Sequence, residues 1–160
     1  MSVLKPGALA PAFSLPSDAG KRVALRSLRG KWVVLYFYPE DDTPTCTQQA
    51  CDLRDGWAEL KALGATVLGV SPDGVTSHRA FRAKFKLPFP LLADADHAVA
   101  TTYGAWGKKT LYGNTFIGMH RNAVLIDPAG RIAALFPSVR TKGFAGRMAK
   151  AVRELQATAR

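Results

Sequence analysis

The 160-residue chain has two cysteines, no low-complexity tract, no repeat at solenoid periods and no apolar run approaching the ~20 residues of a membrane span. Each absence excludes something. Without such a run there is no candidate membrane helix. Residues 1–13, with Lys5, Pro6 and Pro11, lack the apolar stretch of a signal peptide. A cytoplasmic protein is therefore expected, in a compartment where most thiols are kept reduced and two nearby cysteines are more often redox-active or catalytic than structural. A disulfide staple is not required for folding. A single domain over residues 1–160 is long enough to bury roughly 70% of the surface its unfolded form exposes.

Acidic residues are also scarce, 12 against 22 basic ones, which leaves a net charge of +10. That excess raises nucleic acid as a partner. The basic residues fall into three loose groups: Lys21 to Lys31, Arg79 to Lys86, and Arg140 to Arg153. The second and third lie mostly off the apolar stripes of helical segments, and no recognised nucleic-acid motif accompanies them. A solvated basic face that aids solubility is the expectation, with no specific nucleic-acid or membrane partner.

What is present is the order of elements of an α/β fold. "KWVVLYFY", residues 31–38, is a β-branched and aromatic run that reads as a strand buried on both faces, and "TVLGV", 66–70, is a second. Between them residues 45–63 read as one helix, because Cys46, Ala50, Leu53, Trp57 and Leu60 recur at helical spacing, with Gly64 as its left-handed end. Further helices are predicted over 77–86, 96–103 and 144–156. A strand–turn–strand over 122–136 makes the sheet mixed rather than parallel. Residues 104–118 hold four glycines and no clear period, so they read as a long loop, either functional or merely connecting.

Both cysteines lie in "YPEDDTPTCTQQACD", residues 38–52. Thr43 and Pro44 form a helix-start signal: a hydroxyl able to accept from an orphan backbone N–H, then a ring whose fixed φ suits the first helical position. Cys46 then occupies the first turn, where unpaired N–H groups and the positive end of the helix dipole favour negative charge and so a nucleophilic sulfur. The alternative is that Cys46 and Cys51 are small buried hydrophobes. Zinc fits poorly, since its paired ligands sit closer together and His78, His97 and His120 are scattered. The C-x-x-C pair of thiol oxidoreductases is absent. On an intact helix the five-residue offset separates the two Cα atoms by about 8.6 Å, beyond the ~7 Å a disulfide tolerates. If these thiols ever bond, the helix must first unwind.

The stretch from Pro39 to Cys46 matches P-x-x-x-T-x-x-C, and with Cys51 and "ACDLRD" after it, then "VLGVSPD", "FPLLAD", "YGAWGKK" and "GMHRNAVLIDPAG", the chain resembles the bacterioferritin comigratory (PrxQ) branch of the peroxiredoxins along essentially its whole length. The resemblance implies a thioredoxin-like α/β fold with a mixed central sheet flanked by helices and an N-terminal extension. It implies a peroxidase that reduces hydrogen peroxide and organic hydroperoxides without cofactor or metal. Cys46 falls on the peroxidatic cysteine, Thr43 on the hydroxyl that bonds thiolate and peroxide, Pro39 on the ring that shields the pocket, and Arg121 on the active-site arginine. Cys51 falls on the resolving cysteine of members that form an intrasubunit disulfide, recycled by thioredoxin or a glutaredoxin. A monomer is expected.

Two residues depart from the branch pattern. Thr45 stands where glycine is usual, and its β-branch stiffens the turn before Cys46. Gln49 stands where many relatives carry glutamate. His120 should point away from Arg121 across an extended strand and is given no role. A rival enzyme reading is a general thiol-disulfide oxidoreductase, motivated by the thioredoxin-like order of elements.

Overall fold

A computed structural model describes residues 4–158. Its centre is a five-stranded sheet in the order β5-β4-β3-β8-β9. Strand β3 (Trp32–Phe37) pairs in parallel with β4 (Ala65–Ser71), which pairs in parallel with β5 (Leu91–Ala93). On the other side β8 (Ala123–Ile126) and β9 (Ile132–Phe136) run antiparallel, so the sheet is mixed as predicted. The apolar run of β3 reflects burial on both faces. Val34, Tyr36 and Tyr38 pack under helices on one side, and Val33, Leu35 and Phe37 pack under the N-terminal segment and the short helix α4 (Ala98–Thr102) on the other.

The N-terminal extension carries a small hairpin, β1 (Ser14–Pro16) with β2 (Arg22–Ala24), tied to the main sheet where Leu91 N–H donates to the Asp18 carboxylate at 2.9 Å. Helix α3 (Val75–Phe85) starts two residues earlier than its apolar pattern and ends at Lys86 in a left-handed conformation. The C-terminal helix α5 (Phe144–Thr158) buries Phe144, Met148 and Val152, the last two on the apolar stripe predicted for it.

Two expectations fail. The single helix over 45–63 is two, α1 (Pro44–Asp55) and α2 (Trp57–Ala62), with Gly56 at the break. The apolar spacing carries through the break, so periodicity could not show it. A Cβ on Gly56 would lie 2.6 Å from the Cβ of Ala145, so only glycine lets α5 come this close. Gly64 does take the expected left-handed conformation, φ +79°.

The second failure is the loop over 104–118, which is a hairpin of β6 (Trp106–Leu111) and β7 (Asn114–Met119). It turns through Tyr112 and Gly113, both at positive φ, the backbone of a two-residue type I′ turn. Alternation is missing because the hairpin stands out from the body: Tyr112 is 94% exposed, and Gly107 pairs with Gly118 where side chains are normally read. Without a buried face there is no period of two to find.

Candidate active site

The C-terminal end of β3 leads directly into the stretch that holds Pro39, Thr43 and Cys46, and β8 begins beside it, Ala123 opposite Tyr36. Arg121 lies two residues before β8, in the link from β7 rather than on the buried strand itself. Its carbonyl accepts from Val139 N–H at 2.8 Å, which fixes the backbone from behind. Cys46 is the third residue of α1 and only 3% exposed. Residues 75 apart in sequence thus meet at the carboxyl end of a strand.

Arg121 donates through Nη2 to Cys46 Sγ at 3.3 Å and through Nη1 to Gln49 Oε1 at 2.8 Å. Gln49, one turn beyond Cys46 and fully buried, therefore holds the guanidinium against the sulfur. Its Nε2 has no hydrogen-bond partner among the described residues, nor does the buried Tyr36 hydroxyl. Burial pushes the Tyr36 hydroxyl well above its usual range, with the charges of Cys46 and Asp41 adding to the effect, so it stays a neutral phenol.

Thr43 precedes α1 in an extended conformation with Pro44 at the first helical position, as predicted, but it does not cap through its side chain. Its hydroxyl donates instead to the Glu40 carbonyl at 3.1 Å, and among the described residues it makes no bond to Cys46. Pro39 is half-buried between Tyr38 and the turn. Cys51 is half-buried and Cys46 buried, both thiols are free, and both lie within the unbroken α1. His120 Nε2 lies 2.9 Å from the Lys108 carbonyl oxygen.

Sequence reasoning missed the group that holds the 39–43 turn. Asp41 is buried, accepting from Tyr38 Oη and Ser77 Oγ at 2.7 Å each and facing His78 Nδ1 at 2.7 Å, while its own N–H donates to Asp73 at 2.6 Å. His78 is fully buried, and its Nε2 faces the Leu92 carbonyl at 2.9 Å. Nothing in the sequence signals this cluster, because its members come from three separate segments, 38–41, 73–78 and Leu92.

Burial alone pushes the Asp41 carboxyl up. Hydrogen bonds from His78, Tyr38 and Ser77, with the His78 charge, outweigh that and hold it below its ordinary value. A lowered folded pKa contributes stability that is complete above the unfolded value of about 3.9 and disappears as pH falls through the folded one. Asp41→Asn removes that contribution. The stability gap between wild type and variant, read from urea unfolding, is expected to close as the pH falls below 4 through the folded Asp41 value. A gap that widened on acidification would contradict this reading.

A family model described as AhpC/TSA matches residues 6–135. Peroxiredoxin Bcp of Escherichia coli strain K12 is 45% identical over 141 residues, 88% of this chain and 90% of that protein. This chain belongs to the peroxiredoxin family. Solved structures agree: the bacterioferritin comigratory protein of Xanthomonas campestris is 33% identical with a TM-score of 0.85 over all of both chains. Peroxiredoxin Q of the same organism is 34% identical with a TM-score of 0.84, covering 89% of this chain and 90% of that one. The fold of this peroxiredoxin is thus thioredoxin-like, and its activity is that of a thiol peroxidase. General disulfide exchange, the rival reading, gives way to it. Among the described residues of this peroxiredoxin no helix is long and apolar enough to cross a membrane, and no three potential ligand side chains cluster as for a metal.

Proposed function

We propose that Cys46 is the peroxidatic cysteine and Cys51 the resolving one, within a single catalytic domain spanning residues 1–160. The observation that carries this is the Arg121 guanidinium 3.3 Å from the sulfur of a first-turn cysteine that shares its helix with the only other thiol. The Cys46 thiolate attacks the terminal oxygen of a hydroperoxide. The O–O bond breaks, the alcohol or water leaves with a proton, and sulfenic acid forms. Negative charge moves onto the departing oxygen, and Arg121 is the fixed cation beside it. In this reading the Thr43 hydroxyl turns from the Glu40 carbonyl toward the bound peroxide, and Pro39 keeps bulk water from the sulfur.

The Cys51 thiolate then attacks the sulfenic sulfur and expels hydroxide, which leaves as water, so an intrasubunit disulfide closes. This step competes with a second peroxide that would carry Cys46 to the sulfinic acid. A dithiol reductant, thioredoxin or a glutaredoxin, reopens the bond. Hydrogen peroxide and alkyl hydroperoxides are the proposed substrates, supported by the alkyl peroxide reduction named for the Xanthomonas campestris protein. A cytoplasmic monomer is the accompanying proposal.

Intact mass after one equivalent of hydrogen peroxide tests the cycle. Loss of two hydrogens that maps to a Cys46–Cys51 peptide pair is expected; one added oxygen that persists on Cys46 would remove Cys51 from the mechanism.

Gln49 sets the orientation of Arg121, so Gln49→Ala is expected to slow Cys46 oxidation about tenfold, the effect of losing one charge-assisted hydrogen bond worth ~1.5 kcal/mol. Stopped-flow peroxide consumption reads it. An unchanged rate would mean that Val139 and the chain around Arg121 suffice.

A further inference from the structure

The flank of α1 next to its active-site face is bound to the start of α5. Gln48 and Asp52, four residues apart and so on one side of the helix, both reach the segment between β9 and α5. Thr141 Oγ1 donates to Gln48 Oε1 at 2.5 Å, and Thr141 is buried. Asp52 Oδ2 accepts from Ala145 N–H at 2.7 Å and Oδ1 from Gly143 N–H at 3.2 Å. Helix α5 has no acidic residue in its first turn, and Gly143 before it has no side chain. Its orphan N–H groups and positive dipole end are therefore met by a carboxylate from another helix.

Asp52 directly follows Cys51. Bringing Cys51 to Cys46 requires the 46–51 segment to leave its helical path, since the intact helix holds the two Cα atoms about 8.6 Å apart. Asp52 N–H lies in the turn that closes back on Gln48, so unwinding the segment disturbs both tethers. Cys46 itself lies about 120° around the helix from Asp52 and meets Arg121.

We propose that Asp52 is a positioning residue for the resolving step: its carboxylate latches α1 to the N-terminus of α5, holds the peroxide-reactive conformation, and so sets how long the sulfenic acid survives before Cys51 reaches it. This rests on the assignment of Cys46 and Cys51 above. The latch slows the second chemical step and leaves the first nearly unchanged. A tighter latch leaves the sulfenic acid exposed to further peroxide, and a looser one closes the disulfide sooner.

The test separates the two steps by rapid quench and mass spectrometry on the full chain, with wild type, Asp52→Asn and Asp52→Ala. Asparagine keeps one acceptor oxygen without the charge; alanine keeps none. Sulfenic acid formation is expected to stay within twofold in all three. Disulfide closure is expected to accelerate about fivefold in Asp52→Ala, from the loss of a helix cap, with Asp52→Asn between. The peroxide concentration that gives half sulfinic acid should rise in the same order. Equal closure rates in the three proteins would overturn the latch, as would a slowing of both steps together, the mark of general loosening. Absence of any Cys46–Cys51 disulfide in wild type would overturn the assignment beneath it instead, so the two failures are distinct.

Discussion

Cys46→Ser is expected to abolish peroxide consumption, whereas Cys51→Ser is expected to consume one equivalent in reaching the sulfenic acid and a second in reaching the sulfinic acid before it stalls. The contrast follows from position. Of the two cysteines only Cys46 touches the Arg121 guanidinium and lies in the first turn of α1, while Cys51 sits further down the same helix and is half-buried. A serine hydroxyl at position 46 is scarcely ionised at neutral pH and offers oxygen in place of a soft sulfur, so the displacement has no nucleophile. In Cys51→Ser the displacement is intact but the sulfenic acid finds no thiol. Excess peroxide should then add two oxygens to Cys46, and activity should end with the sulfinic acid. Intact mass paired with a peroxide assay reads both variants. Sustained turnover by Cys46→Ser would move the chemistry elsewhere.

Arg121→Met is expected to lower the second-order rate of Cys46 oxidation by roughly 10²-fold to 10³-fold, about 2.7–4 kcal/mol of transition-state stabilisation, as when one preorganised donor is removed from a developing anion. Methionine approximates the volume and removes the charge. The loss should lie in Cys46 oxidation and leave disulfide closure little changed, because Arg121 contacts Cys46 and Gln49 but not the α5 side of α1. Arg121→Lys should recover only part of the rate, since an ammonium cannot bridge the Gln49 carbonyl and the sulfur as a planar fork does. A lysine variant as fast as wild type would show that charge alone matters.

The βαβ unit was legible because strands buried on both faces and an amphipathic helix leave strong periodic signals, as in residues 31–38 and the α1 face of Cys46, Ala50 and Leu53. The hairpin at 106–119 was not, because its exposed strands bury no face and so carry no alternation. The Gly56 break escaped for a related reason: its cause is the close approach of Ala145, 89 positions away. Of the candidate site, Thr43, Cys46 and Cys51 are visible as local spacing, and Pro39 and Arg121 through the resemblance of their surrounding motifs. The bonding of Thr43 to Glu40, the Gln49 bridge to Arg121 and the buried Asp41–His78 pair belong to no local pattern.

By itself the sequence determined the class of fold, the placing of a cysteine in the first turn of a helix, and the five-residue separation that forbids a disulfide while that helix is intact. These are local facts, set by side-chain period and helix geometry. Tertiary structure alone decided which carboxamide orients the Arg121 guanidinium and which carboxylate ties α1 to α5, because hydrogen bonds form between groups that folding brings within about 3 Å, however far apart the chain carries them.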